Sequence, residues 1–214
     1  MRNLRHFLLM VIIPLLLAAV GVSALTIDLV SRLSTGANIE DHRRTAEVVN
    51  AAILATQNEL SNAVSDNANW ADGAIQVYKP GIDHEYVNLT WGETSAMGVL
   101  YDLIFVVTSD GKLLSGFIGG EQVDLDPHGF LGGRLMSLLS ALPQNATEAK
   151  SAAAVVETPR GIVAFSVGNF VPTSSDTVLD SPGPRYLVLG RFLDAGFLAE
   201  LGNRYVVDKL ALTP

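Results

Sequence analysis

An almost entirely apolar segment near the N-terminus, Phe7–Ile27, constrains this chain more than any other feature of its sequence. In a helix, which rises ~1.5 Å per residue, the segment is about as long as the hydrocarbon core of a bilayer is thick. Arg2 and Arg5 precede it and Asp28 follows it, and basic residues favour the cytoplasmic side of a membrane. We therefore predict a single-pass protein of the cytoplasmic (inner) membrane. Its segments would be a cytoplasmic N-terminus at 1–6, a transmembrane anchor at 7–30 and an extracytoplasmic remainder from about residue 31.

A cleaved signal peptide is the alternative interpretation of the same segment. It has a short basic start, an apolar stretch and the small residues Val22-Ser23-Ala24 at a cleavage-like position. However, apolar character continues past that position towards Leu29 and Val30, and the run is longer than a usual signal-peptide core. The length favours the retained anchor, and cleavage stays open.

The composition indicates an exported domain that relies on a hydrophobic core. The chain has no cysteine, which excludes disulfides, thiolate nucleophiles and cysteine-based metal sites. Its 22 acidic residues outnumber its 14 basic ones, for a net charge of −8. A surface this acidic argues against nucleic acid as a partner.

A long helix is predicted to follow the anchor, as a stalk over residues 31–65. Between Asn38 and Val64 the apolar residues recur at intervals close to the helical repeat. Glu40 and Arg44 lie one helical turn apart and can form a favourable surface pair. The apolar stripe predicts packing of this helix on its own domain, and it is also compatible with a homodimer formed through the helix.

The rest of the chain is predicted to form an extracytoplasmic α+β domain at residues 66–205, followed by a truncated or membrane-proximal tail at 206–214. Residues 66–98 contain both tryptophans and several turn-forming residues, and we expect a loop-rich region there. One helix is expected at Phe130–Leu142, and a last one from Asp194, its cap, to about Leu201. Five segments are predicted strands of an antiparallel sheet: Val99–Val107, Lys112–Ile118, Ala152–Glu157, Ile162–Val171 and Arg185–Phe192.

A search for catalytic chemistry finds little. The sequence has no nucleophile elbow, phosphate loop or dinucleotide-binding glycine motif. Asp124, Asp126 and His128 alternate in one loop, but the spacing fits neither a calcium loop nor a zinc site. We interpret this loop as a polar turn in which the aspartates cap backbone amides. An exported hydrolase that uses the loop is the less favoured alternative, and we predict no enzyme activity, no cofactor and no metal.

One segment at the expected end of the long helix places an aromatic residue between acidic and amide side chains. It contains Asp66, Ala68, Trp70 and Asp72, and it is followed by Asn88-Leu89, Asp110-Gly111 and finally Gly190-Arg191-Phe192-Leu193-Asp194. In this order the motifs resemble the fourth class of CHASE domains, extracytoplasmic sensory modules of bacterial and archaeal signalling proteins. The resemblance covers roughly residues 40–205. The sequence departs from the family pattern at three positions, namely Asn67, Ala71 and Ala74.

The resemblance implies a PAS-like sensory fold, in which a long N-terminal helix packs on an antiparallel sheet. Such modules bind small ligands and pass their state through the membrane to cytoplasmic cyclase, phosphodiesterase or histidine kinase domains. No signature of those output domains occurs in this sequence, so we expect the output to come from a further domain or a partner protein.

Five residues are the candidate ligand contacts. Trp70 and Asp72 would form the site, Tyr78 and Trp91 would be its walls, and Arg191 would face a ligand carboxylate. The competing interpretation is that Trp70 only packs the helix against the sheet and Asp72 caps a turn. A membrane-tethered module that assembles with another envelope protein is the alternative function. An exposed apolar patch would favour that module, and a pocket with convergent polar groups would favour the sensor.

Overall fold

The computed structural model describes residues 43–143, 148–172, 179 and 183–205, with isolated positions at 23, 28 and 31. The predicted anchor and the predicted C-terminal tail lie, apart from those isolated positions, outside the described residues. Within the described part, no helix is long and apolar enough to cross a membrane. The chain divides into two units, residues 1–49 and 50–214. In the first, residues 43–49 are helical and Arg43 forms a 2.8 Å ion pair with Glu47.

The second unit begins with helix α1, residues 50–68, which buries every fourth side chain. Because four residues advance a helix by about 40° more than one full turn, this stripe winds slowly around α1. Two hydrogen bonds between serine hydroxyl groups connect α1 to the sheet, namely Ser61–Ser166 at 3.1 Å and Ser65–Ser151 at 2.9 Å. The buried stripe consists of Ala52, Thr56, Leu60, Val64 and Ala68.

Residues 71–97 are largely helical, so the expectation of a loop-rich region is wrong. The elements are α2 (Ala71–Val77), α3 (His84–Val87), a π-helical turn (Asn88–Gly92) and α4 (Glu93–Met97). Each is too short for its periodicity to show in the sequence. The break at Pro80-Gly81 was visible there, but the short helices on either side of it and the turn at Gly98 were not.

The sheet has six antiparallel strands in the order β3-β2-β1-β6-β5-β4. The five predicted strands are present, and a two-residue edge strand that carries no sequence signal adds the sixth. The β1–β2 hairpin turns at Asp110-Gly111, as its motif predicts, with Gly111 at a φ of 80°. The strands are β1 (Leu103–Thr108), β2 (Leu113–Ile118), β3 (Glu121–Gln122), β4 (Ser151–Thr158), β5 (Gly161–Asn169) and β6 (Arg185–Phe192).

Helices cover both faces of the sheet. On one face, α1, α2, the π-helical turn and the last helix, α7 (Ala195–Tyr205), pack on side chains such as Ile104 and Leu189. On the other face, α5 (Pro127–Leu131) and α6 (Gly133–Ala141) pack on side chains such as Phe105. Strands buried on both faces have continuous apolar sequences, which is why β1 and β6 are recognisable without alternation.

Two predicted helices differ from the observed ones in extent. The single helix expected at Phe130–Leu142 is two helices, because Gly132, with a φ of 68°, adopts a conformation that a helix cannot contain. The last helix is capped by Asp194 as expected, since its Oδ1 accepts a 2.9 Å hydrogen bond from Phe197 N. It continues beyond Leu201 to Tyr205.

Candidate functional site

Trp70 lies at the junction between α1 and α2. It is the N-cap of α2 in an extended conformation, with φ −136° and ψ 120°, so the chain changes direction there. Its indole ring covers the α2 backbone at Gly73, where an added Cβ would lie 3.1 Å from Cε3. The residue nevertheless stays 40% exposed. A large aromatic surface is therefore fixed in position and accessible to solvent.

A row of aromatic rings runs from Trp70 into the core. The Trp70 and Tyr86 ring centroids are 6.4 Å apart at an interplanar angle of 32°. Tyr86 meets Trp91 edge-on at 6.2 Å, and Trp91 meets Phe170 at 5.8 Å. Because Trp91 is fully buried, the row connects an exposed surface to the interior on the α1 side of the sheet.

Asn67 holds the buried end of this row. Its Oδ1 accepts a 2.9 Å hydrogen bond from the Trp91 indole Nε1, and its Nδ2 donates at 2.8 Å to Ala63 O. Trp91 therefore packs in the core instead of forming an accessible wall. Sequence reasoning missed this role, although Asn67 was one of the three departures from the family pattern.

Tyr86 and Asp72 add polar groups beside Trp70. The hydroxyl group of Tyr86 is buried and makes no hydrogen bond of good geometry. Burial raises the pKa of Tyr86, the nearby Thr90 side chain lowers that pKa, and the carboxylate of Asp72 raises it. Asp72 is exposed in the first turn of α2 and forms no ion pair with any described residue. We call Trp70, Asp72 and Tyr86 the aromatic-acidic site.

Comparison with known proteins shows which family has this arrangement of elements. The family model of the CHASE4 domain matches residues 52–213, which is most of the chain. The chain belongs to the CHASE4 family. CHASE4 is a family of extracytoplasmic sensory domains, which agrees with the motifs on which the resemblance rested.

Two solved structures are similar to this CHASE4 chain at low identity. A domain of a sensory box/GGDEF family protein from Vibrio parahaemolyticus has 9% identity and a TM-score of 0.48, over 76% of this chain and 64% of that one. The extracellular domain described as that of the histidine kinase vpHK1S-Z8 has 9% identity and a TM-score of 0.47, over 76% and 61%. This chain thus spans less than two thirds of either of those solved chains. No curated protein matches the sequence.

Tyr78 is buried in the CHASE4 domain and connects α2 to β6. Its hydroxyl accepts a 3.0 Å hydrogen bond from Arg185 N, and the Arg185 guanidinium lies 5.5 Å from the centre of its ring. The same guanidinium donates to the carbonyls of Val77 and Lys79, which the end of α2 leaves free. Burial raises the pKa of Tyr78 and lowers that of Arg185. Arg185, a lone charge at the start of an apolar strand, was not singled out in the sequence.

Arg191 lies at the other end of β6 from the aromatic-acidic site. Two hydrogen bonds place the end of α1 near Arg185, at the start of β6. Val171 N donates to Ala68 O at the end of α1, and the preceding residue, Phe170, donates its N–H to Arg185 O. Trp70, two residues after Ala68, therefore lies near the Arg185 end of the strand. Six residues of strand span ~20 Å. The Arg191 guanidinium donates to Glu200 of α7 at 2.6 Å. The structure therefore brings Trp70 and Asp72 together but does not bring Arg191 to them.

The acidic loop before α5 caps that helix. Asp126 accepts hydrogen bonds from His128 N at 3.0 Å and from Gly129 N at 2.9 Å, as expected for a polar turn. Its neighbour Asp124 borders an open depression of about 490 Å³ beside the hairpin turn. No group of His, Asp and Glu in the described part of the chain is arranged to hold a metal ion.

Proposed function

We propose that this CHASE4 chain is a ligand-sensing extracytoplasmic domain of a signal-transduction protein, anchored in the membrane through Phe7–Ile27 and without catalysis of its own. The observation that carries the proposal is the aromatic-acidic site. There an exposed indole and an exposed carboxylate, which has no ion-pair partner among the described residues, lie two positions apart in the chain beside the ring of Tyr86. Convergent polar groups beside aromatic surface are typical of small-molecule sites.

The position of this site provides a route from ligand to α1. Trp70 lies two residues after the end of α1, and Asn67, in the last turn of α1, accepts a hydrogen bond from the Trp91 indole. A ligand that binds better to one arrangement of α1 and α2 shifts the population towards it, by no more than its difference in affinity. The shift would pass along α1 towards the membrane and from there to a cytoplasmic cyclase, phosphodiesterase or kinase domain. Pairing of two chains through the long helix would let two domains respond together.

A thermal-shift screen of small metabolites against the full chain, purified in detergent, tests this proposal. A ligand present at about 100 times its Kd stabilises by about 2.7 kcal/mol, which raises Tm by about 5–10 °C for a domain of this size. We expect such a shift in the wild type and in Asp124→Asn, which removes an exposed carboxylate elsewhere. We expect Trp70→Leu and Asp72→Asn to lose most of it. A hit that stabilises all four proteins equally would place the ligand site elsewhere.

A protein-interaction module of the cell envelope is the second candidate function. Leu89, Met97 and Val99, in and just after the helical segment, are 60%, 72% and 73% exposed. Large apolar side chains exposed to this degree are typical of surfaces that bind other proteins. A screen in which no metabolite stabilises the wild type would favour this alternative over the sensor.

A further inference from the structure

We infer that the aromatic-acidic site binds a small organic cation, namely an amine or a quaternary ammonium ion. This inference rests on the proposed ligand-sensing function and specifies the chemical class of the ligand at that same site. Three features carry it: the exposed indole of Trp70, the carboxylate of Asp72, and the charge of the surrounding segment.

The first feature is the exposed aromatic surface. Indole is the aromatic side chain that attracts cations most strongly, through the negative potential of its ring face. Gly73 contacts the ring near Cε3 and Tyr86 lies beside it, tilted by 32° at a centroid distance of 6.4 Å, so the ring is held in place while 40% of the residue stays exposed. A ring fixed in this way contributes binding surface at little cost in side-chain entropy.

The second feature is the carboxylate next to the ring in the chain. Asp72 is exposed two residues after Trp70, in the first turn of α2, and it has no ion-pair partner among the described residues. The Asp72 carboxylate also raises the pKa of Tyr86, whose ring lies beside Trp70. A carboxylate without a cationic partner suits a ligand that brings a positive charge or N–H groups.

The third feature is the charge of the segment from residue 66 to residue 99. Its only Lys or Arg is Lys79, whose ammonium group is hydrogen-bonded to Gln76. The nearby Arg185 donates to carbonyls at the C-terminal end of α2, ~10 Å of helix away from the first turn that carries Asp72. An anionic ligand would therefore meet a negative surface. The carboxylates of the segment are Asp66, Asp72, Asp83, Glu85 and Glu93.

Isothermal titration of the full chain in detergent with choline, tetramethylammonium and ethanolamine tests the inference. The neutral isostere of choline, in which carbon replaces nitrogen, isolates the contribution of charge. We expect at least one cation to bind, and the isostere to bind at least about fivefold more weakly than choline if choline is that cation. Asp72→Asn and Trp70→Leu should each weaken the cation by about fivefold to thirtyfold. Asp124→Asn, which removes the same charge outside the site, should leave its affinity unchanged.

Several outcomes would overturn the cation inference. If the neutral isostere bound as tightly as choline, the site would select its ligand by apolar contact and not by positive charge. Cation binding that survives Trp70→Leu would place the cation elsewhere. If none of the three cations bound at millimolar concentration, small organic cations would be excluded as ligands of this site. The proposed function fails separately, because a neutral or anionic metabolite whose stabilisation depends on Trp70 would keep the sensor and reject the cation.

Discussion

At the scale of single residues, Asn67 determines how Trp91 is accommodated in the core. The indole of Trp91 is fully buried, so its N–H needs an acceptor within the protein. Asn67 provides that acceptor and donates in turn to Ala63 O, one turn earlier on α1. One amide thus links the end of α1 to the aromatic row.

Asn67→Ala should destabilise the domain. The substitution leaves a buried indole N–H without a partner, which costs about 1–3 kcal/mol of unfolding free energy. Thermal unfolding of the full chain should show a Tm lower by several degrees. Asn58→Ala, on the exposed side of the same helix, is the matched control and should change the unfolding free energy by less than about 0.5 kcal/mol. Equal melting of the two variants would contradict the role given to Asn67.

The sequence predicted part of the site at this scale. Trp70 and Asp72 stand out because an aromatic residue and an acidic residue sit together where a helical pattern ends. Tyr86 could not be predicted, since it reaches Trp70 only through the break at Pro80-Gly81 and a helix of four residues. Arg191 was chosen because its positive charge suits a ligand carboxylate. Its actual neighbours, Glu200 and Phe197 of α7, depend on how α7 packs against β6, which the sequence does not report.

At the scale of elements, a glycine sets how closely α1 approaches the sheet. A Cβ at Gly168 of β5 would collide with Val64 Cγ1 of α1 and would lie 3.0 Å from Lys150 O. Val64 is fully buried in this contact. The helix therefore rests on β5 at a separation that only a missing side chain permits.

Gly168→Ala should push α1 away from β5. Overpacking of this kind costs about 1–3 kcal/mol, and chemical denaturation should show it as a lower midpoint. Gly133→Ala is the matched control, because an added Cβ there meets nothing within 4 Å and Ala is the better helix former. The control should be neutral or stabilising. A Gly168→Ala protein as stable as the control would show that α1 moves away without cost.

Long apolar elements could be predicted and short ones could not. The central strands β1 and β6 have continuous apolar sequences because helices cover both of their faces. The buried stripe of α1 agrees only in part with the sequence pattern, since Ala52, Thr56 and Ala68 are small or polar and their burial depends on the sheet beneath them. The breaks at Gly132 and Gly98 depend on backbone conformation that periodicity does not report.

At the scale of the whole molecule, Asp102 joins three strands at one end of the sheet. Its backbone N–H donates to Gly190 O at 2.8 Å, and its carbonyl oxygen accepts from Gly119 N at 2.7 Å. Its Oδ2 accepts from Phe192 N at 2.8 Å. Burial raises the pKa of Asp102, while Phe192 N and Arg191 lower it and Asp194 raises it.

Asp102 should therefore make stability depend on pH in the direction opposite to most carboxylates. Its contribution is fully present below the ordinary pKa of 3.8 and is lost as pH rises through the higher pKa of the folded state. Asp102→Asn keeps an acceptor for Phe192 N without the charge. The unfolding free energy of this variant minus that of the wild type should increase from about pH 4 to about pH 7, because only the wild type loses the contribution of Asp102. Urea denaturation at both values checks this, and a constant or shrinking difference would refute it.

The strand order also determines when this domain can fold. β6 is the last strand along the chain among the described residues, yet it lies between β1 and β5 and pairs with both, so among the described strands it joins the two hairpins. Until residues 185–192 have been synthesised, each hairpin exposes an unpaired edge and an apolar face. Because the sheet is completed only when β6 pairs with strands far from it in sequence, folding is slow. Until then the nascent chain needs protection from aggregation. A chain exported before it folds would meet this requirement, because the sheet would then close only after translocation.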